Sequence, residues 1–83
     1  MVIDKSFWDT RIPGEPRYVI EFASVPGKTY TIVYSDDMKS WKTAVPAVTA
    51  SANRTQWYDD GPPKTDSWPG ERGKRFYRVV ESP

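Results

Sequence analysis

The sequence predicts an all-β protein, a small antiparallel β-sandwich of six or seven strands forming one domain over residues 1–83. Three observations lead there. Tyr30, Ile32 and Tyr34 recur at period two, with Thr29, Thr31, Val33 and Ser35 on the other face, as in a half-buried strand. Turn residues punctuate the chain at short intervals: Pro13-Gly14, Pro26-Gly27, Asp36-Asp37, Pro46, Asn53, Gly61-Pro62-Pro63 and Pro69-Gly70. No window sustains the i, i+3, i+4, i+7 apolar spacing of a helix, and eight prolines spread along the chain oppose one.

The elements follow in order. Residues 1–16 form an N-terminal arm or an edge strand, since Val2-Ile3 and Phe7-Trp8 offer only short apolar pairs. Arg17–Ala23 alternates Tyr18, Ile20 and Phe22 inward against Val19 and Glu21 outward. Lys28–Ser35 is expected to pair with it as a hairpin through Pro26-Gly27. Trp41–Val45 follows the Asp36-Asp37 turn, and Pro46 ends it or marks an edge. A weak segment at Ala47–Ala50 precedes Arg54–Tyr58, which carries Trp57. Arg75–Glu81 carries Tyr77 and Val79 on one face and Phe76, Arg78 and Val80 on the other. Apolar residues on both faces suggest a central strand. Residues 59–74 form a long loop without strand character, a length at which loops are often functional.

Composition narrows the function classes. The chain has no cysteine, so neither a disulfide nor a thiolate metal site is available, and packing of large rings must hold the fold. Aromatic residues make up 14% of the chain, and burying each large side chain contributes roughly 1.5–3 kcal/mol. Twelve basic against eleven acidic residues leave a net charge of +1, which points to neither nucleic acid nor an anionic membrane surface. No apolar stretch approaches the roughly 20 residues of a membrane span. Met1-Val2-Ile3-Asp4-Lys5 does not resemble a signal peptide, so the chain is either cytosolic or part of a longer exported protein.

No histidine or cysteine is present, which removes the commonest general bases and nucleophiles. The pairs Asp36/Asp37 and Asp59/Asp60 are read as backbone-capping turn residues, because a short carboxylate accepts nearby N–H groups. With Asp66 they also offer the oxygen ligands that Ca²⁺ prefers, but no spacing matches a calcium loop. Neither catalytic residues nor a cofactor is expected. Asn53-Arg54-Thr55 fits a glycosylation pattern, and its turn position accounts for the asparagine equally well.

The aromatics carry the remaining information. Trp41 and Trp57, set within strand patterns, are assigned to the core. Trp68, Tyr58 and Trp8 are the candidate ligand contacts, together with Arg72 from the basic cluster Arg72-Gly73-Lys74-Arg75, which otherwise is a solvated loop. Exposed together, Trp8, Trp68 and Tyr58 would make a flat platform for a sugar ring or a protein partner. The competing arrangement folds the arm and loop back, so that Trp8 and Trp68 cover an open end of the sandwich.

The run Pro26–Trp41, an aspartate at 59 or 60, and the closing Arg75-Phe76-Tyr77-Arg78-Val79 together resemble a module of exported bacterial proteins. That module recurs at the C-terminal end of large secreted proteins, notably of Verrucomicrobia and Planctomycetes. Its pattern is G-x-x-Y-x-V-x-x-S-x-D-L-x-x-W followed by R-F-Y-R-V, and the likeness covers roughly residues 17 to 81. Met38 stands where the pattern has leucine, and the loop before the closing motif is longer and richer in Trp and Pro. The resemblance implies an immunoglobulin or fibronectin type III-like sandwich in an extracellular or cell-surface setting, and it supplies no catalytic residues. The functional expectation is a non-catalytic spacer or protein-contact module of a larger protein. Carbohydrate binding through loop aromatics is the alternative. The partner is a protein or glycan met through loops, with no nucleic acid and no membrane insertion, and edge strands leave the oligomeric state open.

Overall fold

The structure, a computed structural model, describes residues 3–11, 13–14, 16–70 and 74–82. Among the described residues seven strands run in chain order: β1 (Ile3–Asp9), β2 (Arg17–Ala23), β3 (Thr29–Ser35), β4 (Lys42–Thr43), β5 (Val48–Thr49), β6 (Arg54–Asp59) and β7 (Phe76–Glu81). All pairings are antiparallel. A three-stranded sheet has the order β1-β2-β6, and a four-stranded sheet places β3 between β7 on one edge and β4 and β5 on the other. The expected all-β sandwich is therefore present.

Alternation fills the space between the sheets. Ile20 and Phe22 from β2 and Trp57 from β6 meet Tyr30, Ile32 and Tyr34 from β3 and Val79 from β7 in one core cluster. Rings bridge the layers: Phe22 meets Tyr30 edge-on at 5.3 Å, Trp57 meets Tyr77 edge-on at 5.9 Å, and Tyr18 stacks on Tyr77 at 5.5 Å. Each inward tyrosine of β3 also finds its hydroxyl a partner at the rim of the core. Tyr30 accepts from the Val25 N–H at 2.9 Å, and Tyr34 accepts from the Asp66 N–H at 3.0 Å. A tyrosine thereby contributes its apolar body without leaving a buried hydroxyl unpaired.

Several expectations change. The Pro26-Gly27 turn does not close a hairpin; it carries the chain from one sheet to the other. The Ser24 and Gly27 amides bond to Asn53 and Ala50 at 3.0 and 2.8 Å, which leads the backbone across. Phe22 and Tyr30 consequently face each other through the core instead of lying side by side. The segments expected at 41–45 and 47–50 are two short pieces on one edge of β3. Their registers differ by two residues, so the stretch holding Pro46 bulges between them. The last strand is an edge strand, not a central one: among the described residues β7 pairs only with β3, and Val80 is half exposed. Val19 points outward as expected yet is buried, because Phe7 and Tyr58 flank it across the neighbouring strands. Trp57 is in the core. Trp41 is not; it is half-buried outside the core cluster with the Arg78 guanidinium across its ring at 5.2 Å. The N-terminal arm is an edge strand, β1, with a bulge between Ile3 and Lys5.

Candidate functional site

The residues with the richest chemistry meet at one end of the sandwich, where β3 and β6 finish and β7 begins. Arg75 shares the parity of Tyr77 and Val79 and so points inward; its side chain is 3% exposed. A guanidinium has five N–H donors, and each has an acceptor here. Nε donates to Asp36 Oδ1 at 3.1 Å. Nη1 donates to Asp59 Oδ2 and to the Ser67 carbonyl, both at 2.9 Å. Nη2 donates to Asp66 Oδ1 at 3.3 Å and to Ser67 Oγ. The Tyr34 ring lies 4.9 Å below the guanidinium.

Asp59 is the counterpart. It is fully buried and accepts four hydrogen bonds: from the Gly61 N–H at 3.0 Å, Thr65 Oγ1 at 2.7 Å, Arg75, and the Tyr77 hydroxyl at 2.8 Å. Burial pushes the Tyr77 hydroxyl well above its usual range, and the adjacent Asp59 charge pushes the same way. Tyr77 therefore stays a neutral donor at any physiological pH. Breaking such a buried pair by deleting one partner costs about 3–5 kcal/mol, because the survivor stays buried and uncompensated.

The same cluster organises the long loop. Thr65, Asp66 and Ser67 are held by Asp59, Tyr34 and Arg75, and the Lys64 carbonyl accepts from the Val45 N–H at 3.1 Å, tying the loop to the β4–β5 edge. Gly61 sits at φ +79°, and a Cβ there would approach the Trp68 ring to 2.9 Å, so only glycine fits beneath that ring.

The acidic turn divides its labour. Asp36 turns to Arg75, while Asp37 Oδ1 accepts the Lys39 and Ser40 N–H groups at 2.8 and 2.9 Å and closes the turn. Those amides and the Ser35 hydroxyl hold the Asp37 carboxyl below its usual range. Asp36, Asp59 and Asp66 converge on one guanidinium, and Lys42 adds a second cation at Asp66. Among the described residues no group of three or more acidic side chains has the arrangement of a metal site.

The candidate contact residues do not form one platform. Trp8 shares its cross-strand row with Tyr18 and Asp59, whereas Tyr58 lies in the row of Phe7 and Val19 on the opposite face of the same sheet. Tyr58, 38% exposed, lies under the Arg17 guanidinium at 4.4 Å and the Lys64 ammonium at 4.3 Å. Trp68 is half-buried against Gly61. Arg72 lies outside the described residues. Trp8 is 48% exposed, meets Tyr18 edge-on at 5.1 Å and touches Gly70, where a Cβ would come within 3.2 Å of its ring.

Trp8 stands at the mouth of a cleft of about 260 Å³ between β1 and the start of β7, floored by Tyr18 and Tyr77 and bordered by Pro69 and Lys74. A second hollow of about 210 Å³ continues it beside Ser6, Ile3 and Ile20. Among the described residues no strand closes this side of the sandwich, whereas the loop is bonded to the β4–β5 edge through Val45 and Lys64.

Sequence reasoning missed Arg75 and Asp59 as partners, placing Arg75 in a solvated cluster. Parity carried the missing information: an arginine two residues before an inward tyrosine faces the same way and needs a buried carboxylate. No protein-family model, curated protein or solved structure matches the chain.

Proposed function

We propose that this chain is a non-catalytic interaction module, making contacts for a larger exported protein through the open side between β1 and β7. The observation that carries the reading is Trp8, an inward-facing ring left 48% exposed beside an apolar cleft. Large apolar rings at a concave surface are the usual anchors of recognition. The ionisable groups support the non-catalytic part. Asp36, Asp37, Asp59 and Asp66 hold loops and turns, and among the described residues no buried side-chain N or O lacks a partner. A carboxylate engaged by an arginine and a tyrosine is a poor general base. The likeness of residues 26–41 and 75–79 to modules of exported bacterial proteins supports the extracellular setting.

The second reading, carbohydrate binding, now rests on Trp8 alone, whose exposed face beside the cleft is suited to stacking on a sugar ring. Two measurements on the 83-residue domain and its Trp8→Ala variant separate the readings. Selection from a displayed peptide library should yield peptides whose binding is lost in the variant. Affinity electrophoresis through soluble cellulose, xylan and chitin derivatives should show no retardation. Retardation abolished by Trp8→Ala, with no peptide selected, would overturn the interaction-module reading in favour of the sugar.

A further inference from the structure

We infer that β7 is an acceptor edge for strand addition: an extended peptide segment of another protein pairs antiparallel with Phe76–Glu81 and places alternate apolar side chains in the two hollows between β1 and β7. The inference rests on the interaction-module reading and names its partner.

Three of the four sheet edges carry a device that blocks pairing. β1 has the bulge between Ile3 and Lys5. The β4–β5 edge is broken around Pro46. On β6, Lys64 Nζ donates to the Tyr58 carbonyl at 2.9 Å. β7 has none of these. Its six residues pair with β3 in unbroken register, with no proline and no bulge.

The direction of its backbone groups follows from one bond. The Ser82 N–H donates to the Thr29 carbonyl at 2.9 Å, so the even-numbered residues of this strand point toward β3. In an antiparallel pair the intervening residues point away. Ile32 agrees, since its carbonyl accepts from Ala44 on the far side of β3. The N–H and C=O groups of Tyr77, Val79 and Glu81 therefore face outward, and among the described residues no strand receives them.

Beside that edge the sandwich is hollow. One cavity sits at the level of Trp8 and the other at the level of Ser6 and Ile3, and both reach Tyr77. Trp8 and Ser6 are two residues apart on one strand, roughly 6.6 Å. That matches the separation of successive same-face side chains on an added strand. Charge sets the orientation of the occupant. Lys74 borders the Trp8 hollow, is exposed, and makes no ion pair among the described residues, whereas the opposite end of β7 is the acidic Glu81. A peptide antiparallel to β7 lays its C-terminal end beside Lys74, so an acidic residue or terminal carboxylate is favoured there. Main-chain bonds then supply affinity and the two hollows supply selectivity.

The test uses the 83-residue domain and a short synthetic peptide that alternates threonine with valine and ends in aspartate, against a peptide of the same composition with its valines contiguous. Binding is followed by tryptophan fluorescence and amide hydrogen exchange. The alternating peptide should bind saturably and slow exchange at Tyr77, Val79 and Glu81, and the contiguous one should not. Lys74→Glu, an exposed change that leaves the core intact, should weaken binding by up to about fivefold. Binding that leaves those three amides unchanged would overturn this inference while sparing the interaction-module reading. Protection of β7 that grows with protein concentration in the absence of peptide would also overturn it, making a second copy the occupant. Failure of every peptide, with polysaccharide retained through Trp8, would remove both.

Discussion

Arg75 and the strand it opens meet water on opposite terms. Around the guanidinium every donor is matched within the chain, by three aspartates and Ser67. Further along β7, alternate backbone groups face outward beside a cleft that exposes half of Trp8. One region uses polar chemistry to hold the fold; the other leaves polar backbone and apolar surface available for contact. In a domain of 83 residues without disulfides, the proposed function thus separates stability and recognition onto different groups of the same strand.

That division can be broken most forcefully at Asp59. Asp59→Ala strands Arg75 without its buried partner and takes the acceptor from Tyr77, and should cost about 3–5 kcal/mol. Urea denaturation measures it. Domains of this size have about 5–15 kcal/mol in total, so the variant should unfold at markedly lower urea. A loss below about 1 kcal/mol would mean the cluster is solvated.

Gly61→Ala probes the loop that Asp59 anchors. The left-handed backbone costs a non-glycine residue roughly 1–2 kcal/mol, and the added Cβ meets the Trp68 ring at 2.9 Å. Thermal unfolding should shift downward, with the Trp68 environment altered in the near-ultraviolet circular dichroism. Peptide binding at β7 should be unchanged if the two regions are independent.

Proton titration is a gentler lever. The Arg11 guanidinium, followed by that of Arg17, holds the Asp9 carboxyl far below its ordinary value of 3.8, and backbone amides lower Asp37. Groups with depressed folded values contribute stability above their unfolded value, and that contribution is lost as pH falls through the folded one. The urea midpoint should therefore hold down to about pH 4 and decline below it. In Asp37→Asn the decline should be shallower.

Much of this architecture was legible because alternation survives in the sequence. Tyr30, Ile32 and Tyr34, with Ile20, Phe22, Trp57 and Val79, lie where period two puts them. Pairing was less legible. Phe22 and Tyr30 give the same pattern whether their strands lie side by side or face to face, so a hairpin and a crossover read alike. Phe76 and Val80 made β7 resemble a central strand, because an apolar outward residue leaves the same trace whether a neighbour covers it or not. Trp41 followed its strand pattern yet lies with Arg78 across its ring, a surface arrangement that hydrophobicity does not distinguish from burial. Asp59 and Arg75 lie sixteen positions apart across the loop, and only the parity shared with Tyr77 connects them in the sequence.

Hydrogen exchange along β7 in the free domain addresses the central contrast most directly. The Arg78 and Val80 amides, turned toward β3, should exchange slowly, while those of Tyr77, Val79 and Glu81 should exchange at rates near those of solvent-exposed backbone. Equal protection of all five would contradict an open edge and the division of labour built on it.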